Sequence, residues 1–144
     1  MSGTLPHLTG HIDSGAFAVL QIPYSAMERQ HEGLIGTAAE KGIGNVVRGG
    51  VAKGEPGESG VVGRVSWDQF EQVNLGELLD HGESRTLLML RFTIAHPGMH
   101  TAIVGTLSPD HLQQNVDAVE RGPLPDDVYS EVKKRRTEVG QAPE

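Results

Sequence analysis

Ile103–Asn115, IVGTLSPDHLQQN, is a strand running into a helix. Thr101, Ala102, Ile103 and Val104 form a short extended run that stops at Gly105-Thr106. Ser108 stands where an N-cap belongs, and Pro109 fits the first helical position, where no N–H is needed. Leu112, Val116 and Val119 then recur along one apolar face. The first-turn N–H groups of such a helix point toward the carboxyl end of the preceding strand, where an anionic ligand group can sit.

The same period is found upstream. Phe17-Ala18-Val19-Leu20-Gln21-Ile22 is almost continuously apolar, as parallel strands are when helices cover one face and core fills the other. Pro23 ends it. The spacing of Met27, Leu34, Ile35, Ala38 and Ala39 predicts a helix over Ala26–Lys41, stopped by Gly42. Ile43–Val47 is a second extended segment, followed by GGVAKGEPGESGVVG, too rich in glycine for an element of its own. Trp67, Phe70, Val73 and Leu75, then Leu78 and Leu79, mark one or two short helical pieces. Arg85–Ala95 reads as a helix burying Leu87, Leu88, Leu90 and Ile94, broken by His96-Pro97-Gly98. After Gly122-Pro123 and Pro125, a polar helix is expected over Asp126–Val139, ahead of a frayed tail. Strand-then-helix units in series imply an α/β fold with a parallel sheet and right-handed crossovers.

The 144 residues suffice for one ordinary domain, and 37% hydrophobic with 22% charged residues excludes wholesale disorder. A formal charge of -7 argues against nucleic acid, which needs a basic patch. Without cysteine there is no disulfide framework, thiolate metal site or thiol nucleophile. No apolar run approaches the roughly 20 residues of a membrane span. MSGTLPHLTGH lacks the basic and apolar regions of a signal peptide, so a cytoplasmic protein is expected.

Several segments together resemble the C-terminal half of an aldo-keto reductase barrel. They are Ser2-Gly3-Thr4, QIPYS at Gln21–Ser25, AAEKGIGNVVRGGVAKG at Ala38–Gly54, Arg85–Asn115, and RGPLPDDVYSEV at Arg121–Val132. The resemblance covers nearly the whole chain in family order, so residues 1–144 are expected to form a single domain similar to the cofactor-binding half of that barrel. It implies a partial (half) TIM-type (β/α)8 barrel of about three parallel βα units plus a C-terminal helix, where a complete barrel takes ~250 residues. It also implies hydride transfer between a nicotinamide cofactor, NADP(H) or NAD(H), and a carbonyl or alcohol. The family's tyrosine acid and its aspartate, lysine and histidine partners come from early strands without a counterpart here. Neither Tyr24 nor Tyr129 matches that acid, so no catalytic residue is assigned.

The resemblance carries the cofactor contacts over position by position. Ser2 matches the serine that binds the nicotinamide carboxamide, with Gly3 in place of the usual asparagine. Gln21 matches the second carboxamide contact, where an amide can donate and accept at once. Arg48, followed by Gly49, stands where a ring or a planar guanidinium stacks on the nicotinamide. Plainer roles are open at both positions, a backbone-satisfying glutamine and a surface arginine. The glycine-rich loop is similar to the segment that folds over the pyrophosphate. Gly105, Thr106, Ser108, His111, Gln114 and Asn115 align with the adenosine and 2′-phosphate contacts, with Gly105 and His111 replacing cations found in some members.

Other clusters are plainer. His7-x-x-x-His11 with Asp13 has metal-ligand spacing only if helical, which Thr9 and Gly10 oppose, and no metal site is assigned. His96 and His100 flank a Pro-Gly turn and are expected to face solvent or satisfy that turn rather than bind a metal. Lys133-Lys134-Arg135-Arg136 reads as a solvated helix face near a helix C-terminus. A half barrel would expose inward-facing apolar side chains and unpaired strand edges, so a homo-oligomer or a complementing N-terminal half is expected. The alternative to a reductase half is a non-catalytic binding or assembly module, or a truncated remnant of such an enzyme.

Overall fold

A computed structural model describes residues 1–50 and 67–143. Element order is α1 (His7–Asp13), β1 (Val19–Pro23), α2 (Glu32–Glu40), β2 (Gly44–Arg48), α3 (Trp67–Gln72), a 3-10 turn (Leu75–Leu78), α4 (Arg85–Ile94), β3 (Thr101–Ile103), α5 (Pro109–Arg121) and α6 (Asp126–Glu138). The strands form a parallel sheet in the order β1-β2-β3. Register runs from Val19 opposite Gly44 to Pro23 opposite Arg48, and Val46, Val47 and Arg48 face Thr101, Ala102 and Ile103. This sequential parallel order is the one the resemblance implies for part of a (β/α)8 barrel.

Residues Met1–Gly3 lie along the outer edge of β1. Gln21 N–H donates to the Met1 carbonyl at 2.7 Å, and Gly3 N–H to the Gln21 carbonyl at 3.1 Å. Among the described residues, the outer edge of β3 has no such strand. Side chains alternate across the sheet because successive residues point to opposite faces. Leu20, Ile22 and Val47 are fully buried beneath the helices, whereas Val19 and Ile103 are about half exposed on the other face. Phe17–Ile22 is therefore a strand only from Val19 onward, and it is covered on one face, not two.

The core lies between sheet and helices, where Leu8, Tyr24, Ile35, Ala38, Phe70, Leu88, Phe92 and Val132 meet. Local signals place most boundaries. Gly42 adopts φ +74, and the N–H groups of Gly42 and Ile43 return to the carbonyls of Ala39 and Ala38, which closes α2. Ser84 caps α4 by accepting from Leu87 N–H at 3.2 Å.

Four expectations need correction. The helix expected from Ala26 starts at Glu32, because Ser25 and Glu28 pair back on each other and Ser25 Oγ accepts from Met27 and Glu28 N–H. His7–Asp13 is helical despite Gly10, since Leu8 and Ile12 bury one face. Leu87 and Ile94 are only partly buried. The α6 cations form a solvated face only at Lys134: Arg136 is 1% exposed, and Lys133 pairs with buried Glu32. Arg29 crosses to the same helix, with Nε on Glu32 at 2.7 Å and a terminal nitrogen on the Lys133 carbonyl at 2.8 Å.

Candidate functional site at the carboxyl ends of the strands

Parallel strands in a barrel end together, and the side chains at their carboxyl ends converge on one rim. Ser2 is paired in register with Gln21, the middle residue of β1, two positions short of that rim. Arg48 is the last residue of β2, two positions beyond the Val46 that faces Gln21, so Gln21 and Arg48 are diagonal neighbours on the uncovered face. Both are half-buried, and among the described residues neither side chain makes a hydrogen bond or ion pair. Gly49 turns the chain at φ +75. Gly50 then lies against α4: its carbonyl accepts from Thr93 Oγ1 at 3.3 Å, and a Cβ there would sit 3.0 Å from Thr93. The rest of the glycine-rich segment, expected to cover a pyrophosphate, falls in 51–66, outside the described residues.

The second part of the site is the joint between β3 and α5. Thr106 Oγ1 accepts from Ser108 N–H at 3.1 Å, and Ser108 Oγ accepts from His111 N–H at 3.3 Å. Pro109 opens the helix as the sequence predicts. The two hydroxyls fix the first turn and leave its remaining N–H groups directed outward. Gly105 has open space around its Cα, and His111, Gln114 and Asn115 follow at helical spacing on one face of α5. His111 and Gln114 are exposed and Asn115 is half-buried. Gln114 also borders a cleft of about 320 Å³ shared with Ser84, Leu87 and Arg121. A cleft of about 460 Å³ bordered by Asp13, Phe17, Lys41 and Ile43 opens at the opposite, amino ends of β1 and β2.

Neither tyrosine reaches this rim as a usable acid. Tyr24 is buried, with its hydroxyl 3.0 Å from that of Tyr129 and its ring stacked on Phe92. Burial, with Tyr129 and Glu32 adding to it, pushes Tyr24 far above the ordinary tyrosine range. Burial raises Tyr129 as well. His7 and His11 do share a helix, but the His11 ring packs edge-on to Phe17 at 5.5 Å and Asp13 pairs with Lys41 at 2.7 Å. Among the described residues no three histidine or carboxylate side chains are grouped to hold a metal ion.

Asn45 is a buried polar residue that pattern reading passes over, and His96, read as a turn residue, is buried as well. Asn45 lies in the middle of an apolar strand, and its Nδ2 donates to the carbonyls of Ile35 and Gly98 at 2.9 and 2.8 Å. A helix-breaking His-Pro-Gly was the only local sign of that knot.

A profile of the aldo/keto reductase family matches residues 10–136. Among solved structures, the holo form of aldo-keto reductase AKR11C1 from Bacillus halodurans is 26% identical, with a TM-score of 0.72 over 89% of this chain and 44% of its own. The apo form of that protein is 25% identical, with a TM-score of 0.73 over 93% and 49% of the two chains. The glycerol dehydrogenase AKR11B4 from Gluconobacter oxydans shares the fold at 18% identity, with a TM-score of 0.67 over 99% of this chain and 50% of its own. The chain spans about half the length of the solved structures it matches. No curated protein sequence matches it significantly.

Proposed function

The chain belongs to the aldo/keto reductase family, and from that premise we propose that it is the dinucleotide-holding half of a nicotinamide-dependent carbonyl reductase or alcohol dehydrogenase. The observation that carries this reading is the pair Gln21 and Arg48. These are two polar side chains without a protein partner among the described residues, half-buried on one face of adjacent parallel strands, with Arg48 at the carboxyl end of β2 and Gln21 in the middle of β1. With no partner among the described residues, these groups keep their hydrogen-bonding capacity for a ligand or for water.

The residues fit NADP(H) or NAD(H). Ser2 and Gln21 offer a hydroxyl and an amide to the nicotinamide carboxamide, and Arg48 with Gly49 offers a planar cation beside an open turn. Gly105, Thr106 and Ser108 present a first helical turn to the phosphates, while His111, Gln114 and Asn115 line the adenosine end. The bound cofactor supplies the hydride, and this chain's residues bind and orient it. Histidine at 111 gives a 2′-phosphate less attraction than a permanent cation would, so discrimination between the two cofactors is expected to be weak.

The proton donor is supplied by a complementing N-terminal half that carries the tetrad. Two observations favour a partner: the outer edge of β3, unpaired among the described residues, and the stripe Leu112, Val116 and Val119, which is 54%, 42% and 54% exposed. Those values do not suit a helix buried by its apolar stripe. No helix among the described residues is long and apolar enough to cross a membrane.

Titration of the purified chain with NADPH, followed by nicotinamide fluorescence and by Trp67 emission, tests the reading. Saturable binding, weakened at least about tenfold by Gln21→Ala with Arg48→Ala, is the expected result. No binding up to about 1 mM cofactor would overturn it and leave the assembly module as the better account.

A further inference from the structure

The turn that admits β3 to the sheet is held by side chains gripping its backbone. His96, buried just beyond the end of α4, accepts at Nδ1 from Gly98 N–H at 3.0 Å. Its proton therefore resides on Nε2, which donates to the Glu32 carbonyl of α2 at 3.2 Å. The Gly98 carbonyl accepts from Asn45 Nδ2, and Gly98 is pressed so closely onto α2 that a Cβ would lie 2.9 Å from the Ile35 carbonyl oxygen. Met99 N–H returns to the His96 carbonyl at 3.0 Å. His100 then joins β2, donating its N–H to the Asn45 carbonyl at 3.2 Å and accepting Asn45 N–H at Nδ1 at 3.0 Å. Thr101, the first residue of β3, follows directly.

We propose that His96 is a positioning residue whose neutral imidazole locks the 96–100 turn and so sets β3 and the Gly105–Asn115 segment. Its protonation unlocks the β3–α5 unit while β1, α2 and β2 stay packed. The reason is local chemistry. A proton on Nδ1 turns the acceptor for Gly98 N–H into a donor facing a donor inside a buried turn. What lies downstream is held lightly: β3 has three register pairs, and α5 buries only Ala118. Weakly packed edges of this kind open without global unfolding.

The charged groups around the imidazole oppose one another. The Glu32 carboxylate of α2 favours the protonated form but is already paired with Arg29 and Lys133, and Lys133 of α6 disfavours it. Tyr24 meets the ring edge-on at 5.1 Å and is uncharged, as is Tyr129 behind it. On α4, Arg91 is committed to Glu83. Burial dominates and lowers the His96 pKa below its ordinary value.

The consequence for ligand binding rests on the dinucleotide reading, but the latch is tested without cofactor. In the full chain, ¹⁵N imidazole shifts should show the Nε2–H tautomer of His96 at pH 7.5. Residue-resolved amide exchange, corrected for intrinsic rates, should then rise at least about tenfold in β3 and α5 over the pH unit in which His96 titrates. Amides of β1 and β2 should change less than about twofold over the same interval. His96→Asn, which keeps an acceptor near Nδ1 but cannot titrate, should flatten the response, and His100→Asn should retain it. An Nδ1–H tautomer, a flat wild-type profile, equal loosening of all strands, or a response abolished by His100→Asn would overturn the proposal. The tautomer and wild-type profile decide the matter even if the variants fail to fold. A latch that titrates in a chain binding no dinucleotide at any pH would fault the functional reading alone.

Discussion

The β1–α2–β2 layers and the β3–α5 unit are written in the same sequence pattern, an extended apolar run followed by an amphipathic helix, yet they are held very differently. The first unit pairs five residues per strand and buries Leu20, Ile22, Ile35, Ala38 and Val47 completely. The second pairs three residues, leaves Ile103 about half exposed and Leu107 fully so, and turns the Leu112–Val116–Val119 stripe to solvent. At roughly 25 cal/mol per Å² of apolar surface, stability follows neighbours and not pattern. The half of the candidate site on β1 and β2 rests on five-residue strand pairing over a buried core, whereas the half on α5 rests on a three-residue strand, one buried alanine and the 96–100 turn.

The largest effect that would sharpen this contrast is Phe92→Ala. Phe92 is fully buried between Tyr24 and Tyr129, and its loss should cost about 4 kcal/mol in urea denaturation. A cost under about 1 kcal/mol would mean the core is as loose as the edge. Next in size is Arg91→Met. Arg91 pairs with buried Glu83 at 2.7 Å and donates to the carbonyls of Gly122 and Pro123, tying α4 to the connection that ends α5. Leaving Glu83 unpaired should cost about 3 kcal/mol, and Arg91→Met with Glu83→Gln should recover part of it.

Acid comes third. Burial places the folded His96 pKa below its unfolded value of 6.5, so the unfolded chain takes the proton first. The stabilisation is therefore complete above pH 6.5 and is lost as pH falls through the folded value, at up to about 1.4 kcal/mol per unit. Denaturation midpoints for wild type and His96→Asn should differ by a constant amount above pH 6.5 and converge as pH falls below it. Parallel curves would break the assignment. Tyr24→Phe should cost about 1 kcal/mol at neutral pH by removing the bond to Tyr129. Because the folded tyrosine pKa is raised, its stabilisation holds below pH 10 and is lost as pH rises further, so the variant should lose less stability in alkali than wild type. Smallest is Leu112→Ala, within about 0.5 kcal/mol for the chain alone. A larger loss that appears only on adding a complementing half would place that half on the α5 stripe.

Much of the fold was legible because its signals are local. Ser108 and Pro109 start α5, and Gly42 closes α2 with φ +74, each through chemistry confined to a few residues. Errors arose where a distant contact outweighed a local preference. Gly10 should weaken α1, but Leu8 and Ile12 find the core. Ala26–Gln30 has helix-forming residues, but Ser25 draws the chain into a turn. The candidate site shows the same division: the residue types at Ser2, Gln21 and Arg48 could be read, while their lack of protein partners among the described residues could not.

The sequence by itself determined the alternation of strands and helices, the positions of their caps and stops, and the family the chain resembles, since all of these rest on short-range geometry and residue order. Only the tertiary structure decided which polar groups are buried and which apolar ones are bare. Arg136 and Asn45 are inside, and Leu112 and Val116 are outside. Burial is set by what packs against a residue from elsewhere in the chain, and no window of sequence contains that neighbour.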